Sequence, residues 1–158
     1  MSLDTVVLDE RTLSRGSEGQ RVDWEATIRE FLTKANEKSD YDATLHVSVT
    51  EQHFSIEAVD GASVVLRTRT IPHDLLSDHI TEYVDIVRQI ADAHGVNHME
   101  ALDMAKKVTH DRVARVLKRE LREFGFDHET SRKLFTLLLS LRVDTTRLTG
   151  IHGHRTIR

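Results

Sequence analysis

Leu45-His-Val-Ser-Val-Thr-Glu-Gln-His-Phe-Ser-Ile-Glu-Ala58 carries the clearest periodic signal in the chain. Leu45, Val47 and Val49, then Phe54, Ile56 and Ala58, alternate with polar residues at the two-residue period of a strand with one buried face. A two-residue turn at Glu51-Gln52 would pair Thr50 with His53 and keep these apolar residues together, so the segment reads as a hairpin. A third strand, 63–70, follows Asp60-Gly61. With Asp60-Gly61-Ala62 as a three-residue loop and a bulge centred on Gly61, Val64 and Leu66 would fall opposite Ala58 and Ile56. Val6-Val7-Leu8 suits an edge strand. The expected sheet is an antiparallel meander of three to four strands with one apolar face.

That face needs a cover, and the rest of the chain reads as about four helices. Trp24, Ile28, Phe31, Leu32 and Ala35 recur at three-and-four spacing within 21–38. Pro72 suits the start of a helix running to about His94 and stopped by Gly95. Asn97 and Glu100 have the spacing of a capping box for a helix over 98–124, long enough for a break near Thr109–Asp111. Asp127 can cap a last helix over 128–142, whose run Leu134–Leu141 is apolar almost all round and is therefore either central or an interface. Strands grouped together and helices grouped together define an α+β class. The expected organisation is one domain over 1–143 and a polar, flexible tail over 144–158.

Composition narrows the chemistry. The chain has 158 residues, enough for one core, and no cysteine, so disulfides, thiolate metal ligands and cysteine nucleophiles are excluded. The longest apolar run is far short of the roughly 20 residues that cross a bilayer. No membrane association is expected, and the N-terminus lacks the pattern of an export signal, which points to the cytoplasm. The net charge of −4 argues against bulk nucleic-acid affinity but hides an asymmetry: 20 acidic against 9 basic residues over 1–103, and 6 against 13 over 104–158. No internal repeat, phosphate loop, zinc-protease motif or nucleophile elbow occurs.

Two stretches carry a resemblance, Met99-Glu-Ala-Leu-Asp-Met-Ala-Lys-Lys-Val-Thr-His110 and Phe126-Asp-His-Glu-Thr-Ser-Arg-Lys-Leu-Phe-Thr-Leu137. They resemble the signature stretches of a group of small bacterial proteins catalogued as uncharacterised protein family two hundred and sixty-two. The likeness extends to Val6-Val-Leu-Asp9, the first helix and the meander. It implies no particular activity, substrate or cofactor. Matched residue by residue, the family pattern falls on Asp103, Met104, Ala105, Lys106, Lys107 and His110, and on Asp127, Thr130, Ser131, Arg132 and Lys133. The chain departs from it in having Arg112 where an acidic residue is usual, and Ala105 and Val108 in place of glycines.

Asp103, Lys107 and His110 lie at steps of four and three, so one helix face can present a carboxylate, an ammonium and an imidazole together. They form a candidate acid/base set, with Asp103 or Asp111 orienting His110. The plainer alternative is an ordinary Asp103–Lys107 helical pair. Lys106, Lys107 and Arg132 are candidate anion ligands. The wider basic set, Arg112, Arg115, Lys118, Arg119, Arg122 and Lys133, is interleaved with Asp111, Glu120 and Glu123 and lacks aromatic residues, so it reads as a solvated face. His94 with His98, and His152 with His154, are poor ligand pairs, His46 and His53 point to the polar side of the sheet, and His79 reads as a core histidine. No metal and no cofactor are implied. The expected function is a non-enzymatic cytoplasmic interaction or regulatory module, forming a homodimer through the apolar last helix and the opposite charges of the two halves, with a further protein partner open. The alternatives are an enzyme or small-molecule binder using Asp103, Lys107, His110 and Arg132, and a nucleic-acid accessory protein.

Overall fold

The structure, a computed structural model, describes residues 2–36 and 42–148. The hairpin forms as its alternation requires: β2 (Asp42–Val49) and β3 (His53–Val59) pair antiparallel with Val49 opposite Phe54, closed by Thr50 N–H donating to the His53 carbonyl at 2.9 Å. Leu45, Val47, Phe54, Ile56 and Ala58 are all buried. Ahead of it lies β1 (Ser2–Leu8), and β4 (Val65–Pro72) follows, giving one sheet in the order β1-β2-β3-β4.

Two expectations about the sheet need correction. β1 runs parallel to β2, so the sheet is mixed, and only β2–β4 is an antiparallel meander. The cause lies in the connection. Two helices, α1 (Glu10–Arg15) and α2 (Glu18–Ala35), intervene between β1 and β2, and a helical crossover returns the chain parallel to where it left. Asn36, just past α2, holds β1 by donating to the Leu3 carbonyl at 2.8 Å and accepting from Leu3 N–H at 2.7 Å.

The second correction concerns register. Ala58 and Ile56 face Arg67 and Arg69, not Val64 and Leu66, and a bulge sits between Ala58 and Val59. The Asp60 carboxylate accepts from both Ala62 and Val64 N–H at 2.9 Å, which lengthens the loop, and Ser63, with φ 63°, takes the left-handed position expected of Gly61. Val64 and Val65 are left exposed at 55% and 49%. Arg67 and Arg69 cannot enter the core. They reach past its rim, Arg67 Nε to the Glu123 carbonyl at 3.1 Å and Arg69 to the Glu120 carboxylate at 2.7 Å.

The helix layer covers the apolar face. α3 (His73–Ala91) begins one residue after Pro72, α4 (Val96–Glu120) runs in one piece, and α5 (His128–Arg142) is capped by Asp127, which accepts from Thr130 N–H at 2.8 Å. The expected capping box at Asn97 is absent; Gly95, with φ 85°, is the N-cap and no side chain caps α4. With α1, the helices number five among the described residues. α1 starts where Asp9 accepts from Thr12 N–H, and α2 at a capping box between Ser17 and Gln20, a pattern visible in the sequence. Leu134 to Ser140 of α5 are buried within the chain itself, so the all-round apolar run belongs to a central helix.

Trp24 ties α1, α2 and α5 together. Its Nε1 donates to the Ser140 carbonyl at 2.8 Å, and its ring lies where a side chain on Gly16 would be, 2.4 Å from an ideal Cβ. Residues 144–148, expected to belong to the tail, pack on the fold: Thr145 is buried and donates to Asp23 Oδ2 at 2.7 Å. The remainder of that stretch, with His152 and His154, lies outside the described residues. No helix among the described residues is long and apolar enough to cross a membrane.

Candidate functional site

The two family-like stretches meet where α4 crosses α5. His110 turns inward, and its ring forms a triangle with Tyr83 of α3 and Phe135 of α5, each pair of centroids 5.5 Å apart and edge-on or tilted. Three helices thus each place one ring at a shared point. His110 Nε2 donates to the Arg132 carbonyl at 2.9 Å, which fixes the neutral tautomer with its lone pair on Nδ1. Burial pushes the imidazole pKa down to about 4, and the nearby Arg132 and Lys106 charges act the same way, so the ring is neutral at physiological pH. Tyr83, buried beside it, is pushed up to about 12.

Asp111 does not orient His110. It accepts from His128 Nε2 at 3.1 Å and from the Arg132 guanidinium, and these two, His128 foremost, hold its carboxyl below the ordinary range against a smaller effect of desolvation. Arg132 therefore serves both neighbours, His110 through its carbonyl and Asp111 through its guanidinium. Asp103 and Lys107 stay exposed on α4, while Lys106 is half-buried, and burial lowers its pKa against the attraction of Asp103. Arg112, the departure from the family pattern, joins Glu82 of α3 at 3.3 Å, and Glu82 also accepts from Thr109 at 2.9 Å. The helix crossing is thus closed by its own contacts. The neutral His110 bonded to main chain and the Asp111 occupied by two donors form a brace between helices.

A different feature opens to solvent where α4 ends. Arg115, Lys118, Arg119 and Arg122 line a cleft of about 590 Å³. Its far wall is the turn into α5, made by Gly125, Phe126 and Asp127. Gly125 has φ 72° and nothing within 4 Å of where a Cβ would be, so bare main chain faces the cleft. Phe126 is anchored from behind by Phe31 and Phe124, at 5.5 and 5.7 Å between centroids. Among the described residues Arg115, Lys118 and Arg122 form no ion pair, and Arg119 only approaches Glu120 at 3.9 Å. Glu120 is turned to Arg69 on β4.

In the sequence these cations read as a solvated face. What that reading lacked is the fold-back at Gly125, which sets the start of α5 against the same side of α4. Of the expected anion ligands, Arg132 is committed to Asp111, and Lys106 and Lys107 lie on α4 before the cleft begins. His94, His98 and His46 are exposed and His79 is half-buried.

These features define an α+β protein with a mixed four-stranded sheet, a helix crossing braced at His110 and Arg132, and a cationic cleft at the end of α4. Residues 1–144 match the Uncharacterised protein family (UPF0262), and the chain belongs to that family. It is similar to the UPF0262 protein of Methylobacterium radiotolerans, 27% identical over 150 residues, which covers 88% of this chain and 91% of the relative. Similar too are the UPF0262 proteins of Bradyrhizobium diazoefficiens, 32% identical over 103 residues and 62% of each chain, and of Rhodopseudomonas palustris, 28% identical over 143 residues, 84% of this chain and 86% of the relative. No solved structure matches this chain.

Proposed function

We propose that the protein is a non-enzymatic binding module that engages an anionic partner through the cleft at the end of α4. One observation carries this reading: three of the four cations lining the cleft have no ion pair among the described residues, although carboxylates are plentiful in the chain. The closed helix crossing supports the non-enzymatic part. A neutral imidazole held by a main-chain carbonyl is a poor proton donor near pH 7, and Asp111 is occupied away from it. The apolar character of α5 is accounted for by its central position, so this reading does not depend on a second copy of the chain.

Retention on immobilised heparin, a generic polyanion, tests the reading. Despite its net charge of −4, the wild-type protein is expected to be retained at low salt and released as salt rises. The Arg115→Ala/Arg122→Ala double variant is expected to pass through. Equal behaviour of the two proteins refutes the reading.

A further inference from the structure

We infer that the cleft at the end of α4 takes a compact organic diphosphate, the chemistry of a nucleoside diphosphate, in preference to an extended polyanion; this rests on the reading of the cleft as an anion site.

Charge density comes first. Arg115 and Lys118 are like charges three residues apart on α4, Arg115 and Arg119 are four apart, and Arg122 follows two residues past its end. Each such neighbour pair destabilises the helix by about 0.2–0.5 kcal/mol, only partly offset by the negative end of the α4 dipole. Three cations on the last turns of α4 and a fourth just past its end, with Glu120 drawn off to β4, leave repulsion that a bound anion would relieve. Guanidinium forks match phosphate oxygens bidentately, and the site has three of them.

Extent comes second. From Arg115 to Arg119 the cationic stretch covers about 6 Å of helix, and Arg122 follows in the turn after α4. Asp111 lies on the preceding turn of α4, and Asp127, the cap of α5, stands in the facing wall of the cleft. A long polyanion lying along α4 would run onto both; a small one fits between them. Beyond Asp111 the same side of the helix carries Val108 and Met104, exposed at 48% and 61%, beside Lys107, so the positive surface thins there.

Shape and lining come third. A volume of about 590 Å³ is that of a small-molecule pocket. Phe126 and the aliphatic stems of the arginines give it apolar walls, and the open main chain at Gly125 lets a ligand approach closely. Bare inorganic phosphate would use the charges and leave the walls unmatched, whereas an organic diphosphate uses both.

Isothermal titration with ADP, pyrophosphate and citrate distinguishes the possibilities. ADP is expected to bind with one site per chain, more tightly than pyrophosphate, with citrate weaker than both. The Arg115→Ala/Arg122→Ala variant is expected to lose about tenfold or more in ADP affinity. Arg112→Ala, which removes a cation paired with Glu82 outside the cleft, should leave it unchanged. Arg115 and Arg122 are exposed, and Trp24 fluorescence verifies that the double variant remains folded. ADP binding no tighter than citrate, or insensitive to the double variant, overturns the inference. If heparin retention nevertheless depends on Arg115 and Arg122, the anion-site reading stands without it; if neither probe depends on them, both fall.

Discussion

The Arg132 carbonyl accepts from His110 Nε2 at 2.9 Å while the guanidinium of the same residue holds Asp111, so one residue of α5 grips two successive residues of α4. The two contacts differ in kind. The first buries a neutral ring among aromatics, and the second joins charges at a partly exposed rim.

The buried ring makes stability depend on pH. In the unfolded chain His110 takes a proton near 6.5, and in the fold only near 4. Between these values the unfolded state binds more protons. The contribution is therefore complete above about pH 6.5, declines as pH falls, and is exhausted below about 4; at about 1.4 kcal/mol per unit it amounts to roughly 3–4 kcal/mol. His73, lowered chiefly by burial, acts in the same direction. Urea unfolding at pH 4 to 7 should show this decline, and His110→Phe should flatten it. The Arg132 carbonyl keeps a contact from Thr136 in that variant, at 3.3 Å. An unchanged slope would argue that the ring is not buried as described.

Asp111→Asn should weaken the fold by about 1 kcal/mol or less, because the side chains of Asp111 and Arg132 are 37% and 23% exposed and solvent screens them. The loss should shrink in high salt. A loss of several kcal/mol, or one insensitive to salt, would contradict a rim contact.

Gly16→Ala places a methyl where the Trp24 ring lies, and relief requires moving a ring hydrogen-bonded to Ser140. A cost of about 1–3 kcal/mol is expected, with a red shift of the fluorescence of this single tryptophan. Unaltered emission and midpoint would mean that α1 does not close on Trp24.

Thr145→Val removes a donor from buried Asp23 and should cost about 1–3 kcal/mol. Hydrogen exchange should rise in α2 near Asp23. If the midpoint does not move, the 144–148 segment does not contribute to the fold.

Much of this was legible in sequence wherever one local rule dominates. The span 128–142 of α5 follows from Asp127 and the apolar run, and the β2–β3 hairpin from strict alternation. The β4 register was not legible, because the Asp60 carboxylate takes two N–H groups and shifts the loop, an effect no alternation pattern contains. α1 escaped notice because its six residues show no stripe, only a cap. For the site, helical spacing brought His110 under suspicion and the basic, family-like stretch brought in Arg132, and the structure does bring them together, but as partners in a brace. The cleft depends on a chain reversal at Gly125 that relates residues across two helices, and single-helix periodicity carries no such information.

The shifted register of β4 also affects how chains meet one another. An outermost strand offers unpaired amides that recruit further strands, and proteins guard such edges with inward-pointing charges. Arg67 and Arg69, anchored to Glu123 and Glu120, stand along that margin. Arg67→Thr/Arg69→Thr should increase thioflavin T binding on prolonged heating, and no increase would count against a guarding role. If that variant forms fibrils where the wild type does not, the slip that kept Val64 and Leu66 from their expected places is what gives the sheet a boundary opposed to fibrillar growth.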